Sequence, residues 1–182
     1  MTDLGALYLA DLRERMRGVK GLGEGALGQL DEGQWHAALT PEGNSAAVLI
    51  QHLSGNMHSR WGALRHGYTP GAEGEAPGRH RDAEFEEGEA TPAELWALWE
   101  AGWAVFLEAA EQLKPEDLTR ELTIRGEPHS VLAALQRQVA HYSGHVYQLV
   151  FLVRTLRGAQ WQTLSIARGG SASFNAQMAA RR

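Results

Sequence analysis

Residues 136–153 read QRQVAHYSGHVYQLVFLV, a pattern that predicts a long amphipathic helix. The two histidines in it, His141 and His145, are four residues apart, so in a helix both imidazoles lie on one face, one turn apart. Gln138 precedes His141 by three residues, and Gln148 follows His145 by three. The other flank is apolar and consists of Val139, Tyr142, Val146, Leu149, Val150 and Val153. A helix that buries this flank beside two histidines indicates one wall of an internal metal site.

The length and composition are typical of one globular domain. The chain has 182 residues, and we treat residues 1–182 as a single unit. Its net charge of −5 lacks the basic excess of nucleic-acid-binding proteins, so we expect no nucleic-acid partner. No apolar run approaches the ~20 residues that cross a bilayer, and we expect neither a membrane span nor a signal peptide. The absence of cysteine excludes disulfides and protein thiolate ligands, and it favours a cytoplasmic location.

Helical periodicity predicts four long helices. The first covers about 4–19 and is expected to break at the glycines that follow, which are Gly18, Gly21, Gly23 and Gly25. The second covers about 45–66 and carries His52 and a weakening glycine, Gly55. The third begins at 91–94 (TPAE), which has the residues of a capping box. The fourth covers about 131–156 and contains the two histidines.

Four long amphipathic helices and little else predict an all-α protein, a four-helix bundle. Residues 67–90 are rich in glycine, proline and charge and predict a long crossover loop between the second and third helices. Residues 122–130 alternate in polarity and turn at Gly126, which predicts a small hairpin before the last long helix. The tail from residue 161 onward is irregular and is predicted to end in a short helix.

A third metal ligand has to come from another helix. Zinc and similar ions accept neutral imidazole, and catalytic sites use three protein ligands and leave one position open. His52 is the best candidate, because it lies midway along the second helix among apolar neighbours, with Asn56 and Arg60 on the same face. For His52 taken alone, a hydrogen-bonded core histidine is the favoured alternative to a ligand. From spacing alone, a chance His-x-x-x-His pair and a metal site have similar weight.

Two other groups of residues have ordinary structural interpretations. The tryptophans of the third helix, Trp96, Trp99 and Trp103, are expected to be core residues or contacts in a homodimer, with a substrate-stacking surface as the weaker alternative. The carboxylates of the crossover loop, Glu84, Glu86, Glu87 and Glu89, are expected to form a solvated face, with the weaker alternative that one of them caps the site.

His52 on the second helix and HYSGHVYQ on the fourth resemble the DinB and YfiT-like superfamily of metal-binding four-helix bundles. Further stretches are similar to one subgroup of it, a bacterial domain of unknown function: HLSGNMHSRW at 52–61, RHRDAEF at 79–85, IRGEPHS at 124–130 and WQTLSIARGGSASFN at 161–175. The resemblance implies three ligands, His52, His141 and His145, that hold zinc or nickel. It also implies a crossed helix order.

Characterised members of this superfamily include enzymes that transfer low-molecular-weight thiols such as bacillithiol or mycothiol. By resemblance, the chain is expected to be a metal-dependent thiol S-transferase, in which the ion holds the cofactor thiol as a thiolate that attacks an electrophilic substrate. Gln148 follows the His-x-x-x-His-x-x-Gln order and is expected to fix a ligand or a bound water. Asn56 and Arg60 are candidates to bind an anionic group, although for Arg60 a salt bridge at the end of the bundle is the favoured alternative.

Two alternatives to thiol transfer stay open on the sequence. One is metal-assisted hydrolysis, in which a carboxylate serves as base, although no carboxylate has a telling spacing from the histidines. The other is a non-catalytic, metal-stabilised bundle with a stress or binding role, which requires a closed, four-ligand site. Arg168, in the tail segment 161–175, is expected either to close over the pocket or to contact a second copy.

Overall fold

The computed structural model describes residues 3–68, 76 and 78–180. Over these ranges the chain is mostly helical, with five α-helices and one small antiparallel sheet. The helices are α1 (Leu4–Leu27), α2 (Ala46–Trp61), α3 (Pro92–Gln112), α4 (Val131–Arg157) and α5 (Ser171–Ala179). The strands are β1 (Glu121–Ile124) and β2 (Glu127–Ser130). Short 3-10 turns lie at Glu32–Gln34, Gly62–Leu64, Asp82–Phe85, Pro115–Thr119 and Gly158–Gln160.

The helix starts follow the capping residues in the sequence. The Ser45 hydroxyl accepts from the backbone N–H of Val48 at 3.1 Å and begins α2. Thr91 and Glu94 form a reciprocal capping box at the start of α3, and Ser130 caps α4. The structure confirms the predicted start of α3 and the predicted helix over 131–156. The helix α5 confirms the short helix that was predicted in the tail.

The predicted break in the first helix is wrong, because α1 continues to Leu27. Two of its glycines lie where another segment packs closely against the helix. A Cβ on Gly23 would lie 2.4 Å from the Trp99 ring, and one on Gly25 would lie 2.9 Å from Leu164. Tertiary packing therefore outweighs the low helix propensity of glycine in this segment.

One hydrophobic core joins the four long helices. The helix α2 packs mainly on α3 and α1 packs mainly on α4, with further contacts between α1 and α3 and between α2 and α4. At the α2–α3 contact, a Cβ on Gly102 would lie 2.8 Å from the Ser54 Cα, so the two backbones approach closely. Large aromatic side chains fill the centre and are buried, namely Trp61, Trp99, Trp103, Phe106 and Tyr142.

Of the three interpretations of the α3 tryptophans, the structure supports burial in the core. Trp99 and Trp103 are at most 1% exposed within the single chain, so they offer no surface to a second copy. Trp96 is half-buried and lies 6.4 Å from Trp35, ring to ring. The tryptophans therefore no longer support a homodimer, and the homodimer stays a prediction.

The hairpin between α3 and α4 is confirmed. Strands β1 and β2 pair antiparallel, with Ile124 opposite Glu127, and a two-residue turn joins them. Both turn residues have positive φ, 56° at Arg125 and 77° at Gly126, which matches the twist of a tight hairpin. Arg125 is thereby held in a conformation that few non-glycine residues adopt.

Part of the predicted crossover loop, residues 69–75 and 77, lies outside the described residues. The described remainder includes the turn Asp82–Phe85, which packs against α2. Among the described helices, none is both long and apolar enough to cross a bilayer.

Candidate metal centre

Three histidine side chains from two helices converge. His52 comes from the middle of α2, and His141 and His145 come from consecutive turns of α4. One ligand-type nitrogen from each ring lies within 4.8 Å of the other two, and His52 Nε2 is 3.1 Å from His141 Nε2. Bonds of ~2.1 Å at tetrahedral angles put ligand nitrogens roughly 3.4 Å apart. The cluster therefore needs only small adjustments to bind a metal ion.

The second nitrogen of each ring makes a hydrogen bond that fixes its tautomer. The Nδ1 atoms lie near side-chain oxygens: His52 near Glu84 Oε2 at 2.9 Å, His141 near Gln138 Oε1 at 3.2 Å, and His145 near Gln148 Oε1 at 3.1 Å. Carboxylate and amide oxygens accept hydrogen bonds, so each Nδ1 carries the proton and each Nε2 is left with a lone pair. Two unprotonated Nε2 atoms 3.1 Å apart cannot bond to each other, whereas a cation between them satisfies both.

Burial keeps the His52 and His141 rings neutral. Desolvation lowers the pKa of His52, although its hydrogen bond to Glu84 opposes the shift. Desolvation, reinforced by the nearby charges of His145 and His52, lowers the pKa of His141 to about 3. Both rings are unprotonated at neutral pH and are thus ready to act as ligands.

His52 is held by a buried ion pair from the crossover loop. The guanidinium of Arg79 donates from Nε to Glu84 Oε1 and from Nη2 to Glu84 Oε2, both at 2.7 Å. The two side chains are 7% and 12% exposed, respectively. Glu84 Oε2 accepts from His52 as well, which gives a carboxylate–histidine pair of the kind that orients metal ligands. The expected solvated role is therefore wrong for Glu84.

A glycine makes room for this carboxylate. A Cβ on Gly55, one turn after His52, would lie 2.3 Å from Glu84 Oε1. The sequence suggested only that Gly55 weakens α2. In the structure its missing side chain lets Glu84 lie across the helix and reach the imidazole.

A cavity of about 370 Å³ opens beside the three histidines. Five guanidinium groups line it, those of Arg60, Arg79, Arg81, Arg125 and Arg137. None of the described lining residues is a carboxylate, so basic residues outnumber acidic ones along the cavity wall, although Arg79 is already paired with Glu84. Arg125 reaches the cavity from the tip of the β1–β2 hairpin.

Asn56 also lines the cavity and is held from behind by the aromatic core. The Tyr142 hydroxyl donates to Asn56 Oδ1 at 3.0 Å and accepts from the Trp61 indole N–H at 2.9 Å. Burial raises the pKa of Tyr142, so the phenol stays protonated. The Asn56 amide therefore has a built position at the cavity wall.

The structure brings together all six residues that the sequence singled out. His52, His141 and His145 form the cluster, Asn56 and Arg60 line the cavity, and Gln148 bonds to His145. Arg168 is exposed and is not among the described residues that line the cavity.

Sequence reasoning did not assign a specific role to three supporting residues, Arg79, Glu84 and Gln138. The first two lie in RHRDAEF, a stretch already noted for its resemblance to the subgroup. That stretch therefore carried a signal, although its role was not assigned. Gln138 has the same three-residue spacing from His141 that Gln148 has from His145, and this symmetry was a usable signal.

The fold and the cluster define a mostly helical protein with three histidines that could hold a metal ion. The family model that matches the chain is described as a protein of unknown function, DUF1572, and it covers residues 3–170. The chain therefore belongs to the DUF1572 family, and the match includes all three histidines and their partners. The search of curated proteins found no match.

Proposed function

We propose that this protein is a divalent-metal-dependent enzyme that transfers a low-molecular-weight thiol to an electrophilic substrate. One observation carries the metal part: one nitrogen from each of three imidazoles converges, while each Nδ1–H donates to an acceptor oxygen. Three neutral imidazoles suit zinc and nickel alike. We also propose that the four long helices form a bundle of the DinB type, as the sequence motifs imply.

The site suits a nucleophile that comes from a bound molecule. A divalent ion held by the three histidines would lower the pKa of a coordinated thiol, which is near 8.5 in water, so that the thiolate prevails at neutral pH. The protein residues hold the imidazoles in the ligand tautomer and offer donors at the cavity wall. The sulfur forms a bond to an electrophilic carbon, the leaving group departs with its electron pair, and the thiol proton passes to solvent.

Metal-assisted hydrolysis receives less support, because the described residues place no unengaged carboxylate base at the cavity. Glu84 already accepts from His52 and from both Arg79 nitrogens, and it lies behind the imidazole. The described residues that line the cavity include no carboxylate. A water molecule in this cavity would therefore have no carboxylate among these residues to take its proton.

A purely structural metal is also less well supported. Structural zinc sites are closed by four protein ligands, whereas the described residues supply three. The open side of the cluster faces a cavity large enough for a small molecule. Such a three-ligand arrangement is typical of catalytic sites.

The arginines that line the cavity favour an anionic substrate. Guanidinium groups bind carboxylates and phosphates through paired hydrogen bonds. Arg137 is exposed on α4 one turn before His141, and Arg81 packs over the Phe85 ring 4.9 Å from its centroid. A thiol that carries carboxylate groups, as bacillithiol does, fits this electrostatic setting.

The test combines metal analysis with a thiol panel. The purified full-length chain is loaded with zinc or nickel and mixed with monochlorobimane and one thiol at a time, and the fluorescent conjugate is measured. We expect one ion per chain and turnover with an anionic thiol. His145→Ala should abolish both, whereas His58→Ala, outside the cluster, should change neither. Bound metal without turnover for any thiol would reject thiol transfer and leave hydrolysis or a structural role.

A further inference from the structure

A hydrogen-bond chain runs from the core to the wall of the metal cavity. It consists of Trp61, Tyr142 and Asn56, with donor–acceptor distances of 2.9 and 3.0 Å. The three residues are 1%, 0% and 6% exposed, so water does not compete for these bonds. The chain links α2 to α4 directly behind His141.

The direction of this chain is fixed by chemistry. An indole N–H only donates, so the Tyr142 oxygen accepts from Trp61. A phenol has one proton to donate, and the acceptor it meets is Asn56 Oδ1. If the Asn56 amide were flipped, its NH2 group would face the hydroxyl and the buried phenol proton would lose its acceptor.

We infer that Trp61 and Tyr142 are positioning residues that lock the Asn56 amide with its NH2 group toward the cavity. The Asn56 N–H then donates to the ligand that occupies the open side of the histidine cluster. The atom of that ligand facing α2 is an acceptor, such as a carboxylate oxygen. This inference rests on the proposed metal site and specifies the substrate chemistry there.

The fixed orientation matters more than the presence of the amide. An asparagine free to rotate would offer its oxygen as readily as its NH2 group, and the oxygen would repel an anion. An amide that is already aligned loses no rotational freedom when the ligand binds. The Tyr142 hydroxyl therefore acts on the ligand only through Asn56.

The experiment uses the full-length chain loaded with Co²⁺, whose visible absorption reports on the ligands of the ion. Acetate serves as the probe anion, and its dissociation constant is obtained from the spectral change. The variants are Tyr142→Phe, Asn56→Ala and the double variant. Tyr147→Phe is the control, because it removes a phenol from the same helix at a side chain that is 61% exposed. Circular dichroism checks that each variant is folded.

We expect Asn56→Ala to weaken acetate binding by about tenfold and Tyr142→Phe by roughly three- to tenfold, as for loss of one oriented hydrogen bond to an anion. The Co²⁺ spectrum without acetate should be unchanged in both variants, since the histidines stay in place. Tyr147→Phe should match the wild type. In the Asn56→Ala background, Tyr142→Phe should have no further effect, because its influence passes through the amide.

Three results would overturn the inference, and they point to different errors. Equal effects of Tyr142→Phe in both backgrounds would mean that the hydroxyl acts independently of Asn56. Wild-type acetate affinity in Asn56→Ala would mean that the amide does not reach the ligand. Failure of the wild type to bind Co²⁺ would reject the metal site and the proposed function together.

Discussion

The two halves of the histidine cluster are assembled in different ways. On α4, each imidazole bonds to a glutamine three residues away on the same helix, so helix formation alone brings ligand and partner together. On α2, His52 depends on Glu84, which is 32 residues further along the chain and is held by Arg79. The α4 half is preformed by local structure, whereas the α2 half is complete only when the crossover loop docks. The following experiments test this difference.

Removal of a ligand from either half should have the largest effect. His52→Ala and His141→Ala each leave two imidazoles, which are too few to hold the ion tightly. We expect the metal content to fall from one ion per chain to near zero in both variants. The melting temperature with added metal should fall to that of the metal-free wild type, because ligand binding stabilises the folded state. Stoichiometric metal in either variant would reject the ligand assignment.

Removal of the hydrogen-bond partners should lower the metal affinity by different amounts in the two halves of the cluster. Glu84→Gln keeps an acceptor for His52 but loses the negative charge and leaves Arg79 without its carboxylate, so we expect about 100-fold weaker metal binding. Gln148→Ala should weaken binding by only about tenfold, because water can replace an exposed amide.

These affinities are measured by competition with a chelator of known strength. Gln148→Ala should also lower the catalytic activity clearly while leaving the free energy of unfolding nearly unchanged. Equal losses in both quantities would demote Gln148 to a packing role, and equal affinities in the two variants would remove the contrast between the halves.

Gly55 in α2 and Gly144 in α4 provide a matched pair of substitution sites. At Gly55 a methyl group would overlap the Glu84 carboxylate, so Gly55→Ala should push Glu84 from His52 and weaken metal binding about tenfold. At Gly144, between the two α4 histidines, a Cβ would meet no side chain of the described residues within 4 Å. Gly144→Ala should therefore raise the free energy of unfolding by roughly 0.5–1 kcal/mol and leave metal affinity unchanged. Similar metal affinities in the two variants would contradict the docking role of Glu84.

The smallest effect is expected from acid on the metal-free protein. The pKa of His141 in the folded state is about 3, below its value of ~6.5 in the unfolded chain. The unfolded state therefore binds more protons below pH ~6.5, and stability falls as the pH drops from there toward 3. His141→Gln should flatten this decline, with solvent screening limiting the difference because the ring is only half-buried. Urea unfolding at several pH values measures the free energy of unfolding of the wild type and the variant. If the two plots of this free energy against pH are parallel, His141 does not contribute to the decline.

The fold was predictable wherever a local signal was strong. The capping box that starts with Thr91 marked the start of α3, and Gly126 marked the hairpin. The end of α1 was predicted wrongly, because a glycine that ends one helix has the same sequence signal as a glycine that lets Trp99 approach another. Only the packing partner distinguishes the two cases.

The sequence by itself was enough to predict the three histidines as candidate ligands, the glutamine that supports His145 and the helices that carry them. Helical periodicity and motif spacing are local properties, and a few neighbouring residues encode them. The tertiary structure alone decided that Glu84 and Arg79 leave the solvent to hold His52, and that Tyr142 orients Asn56. These contacts join segments far apart in the chain, and their geometry depends on how the helices and the loop pack.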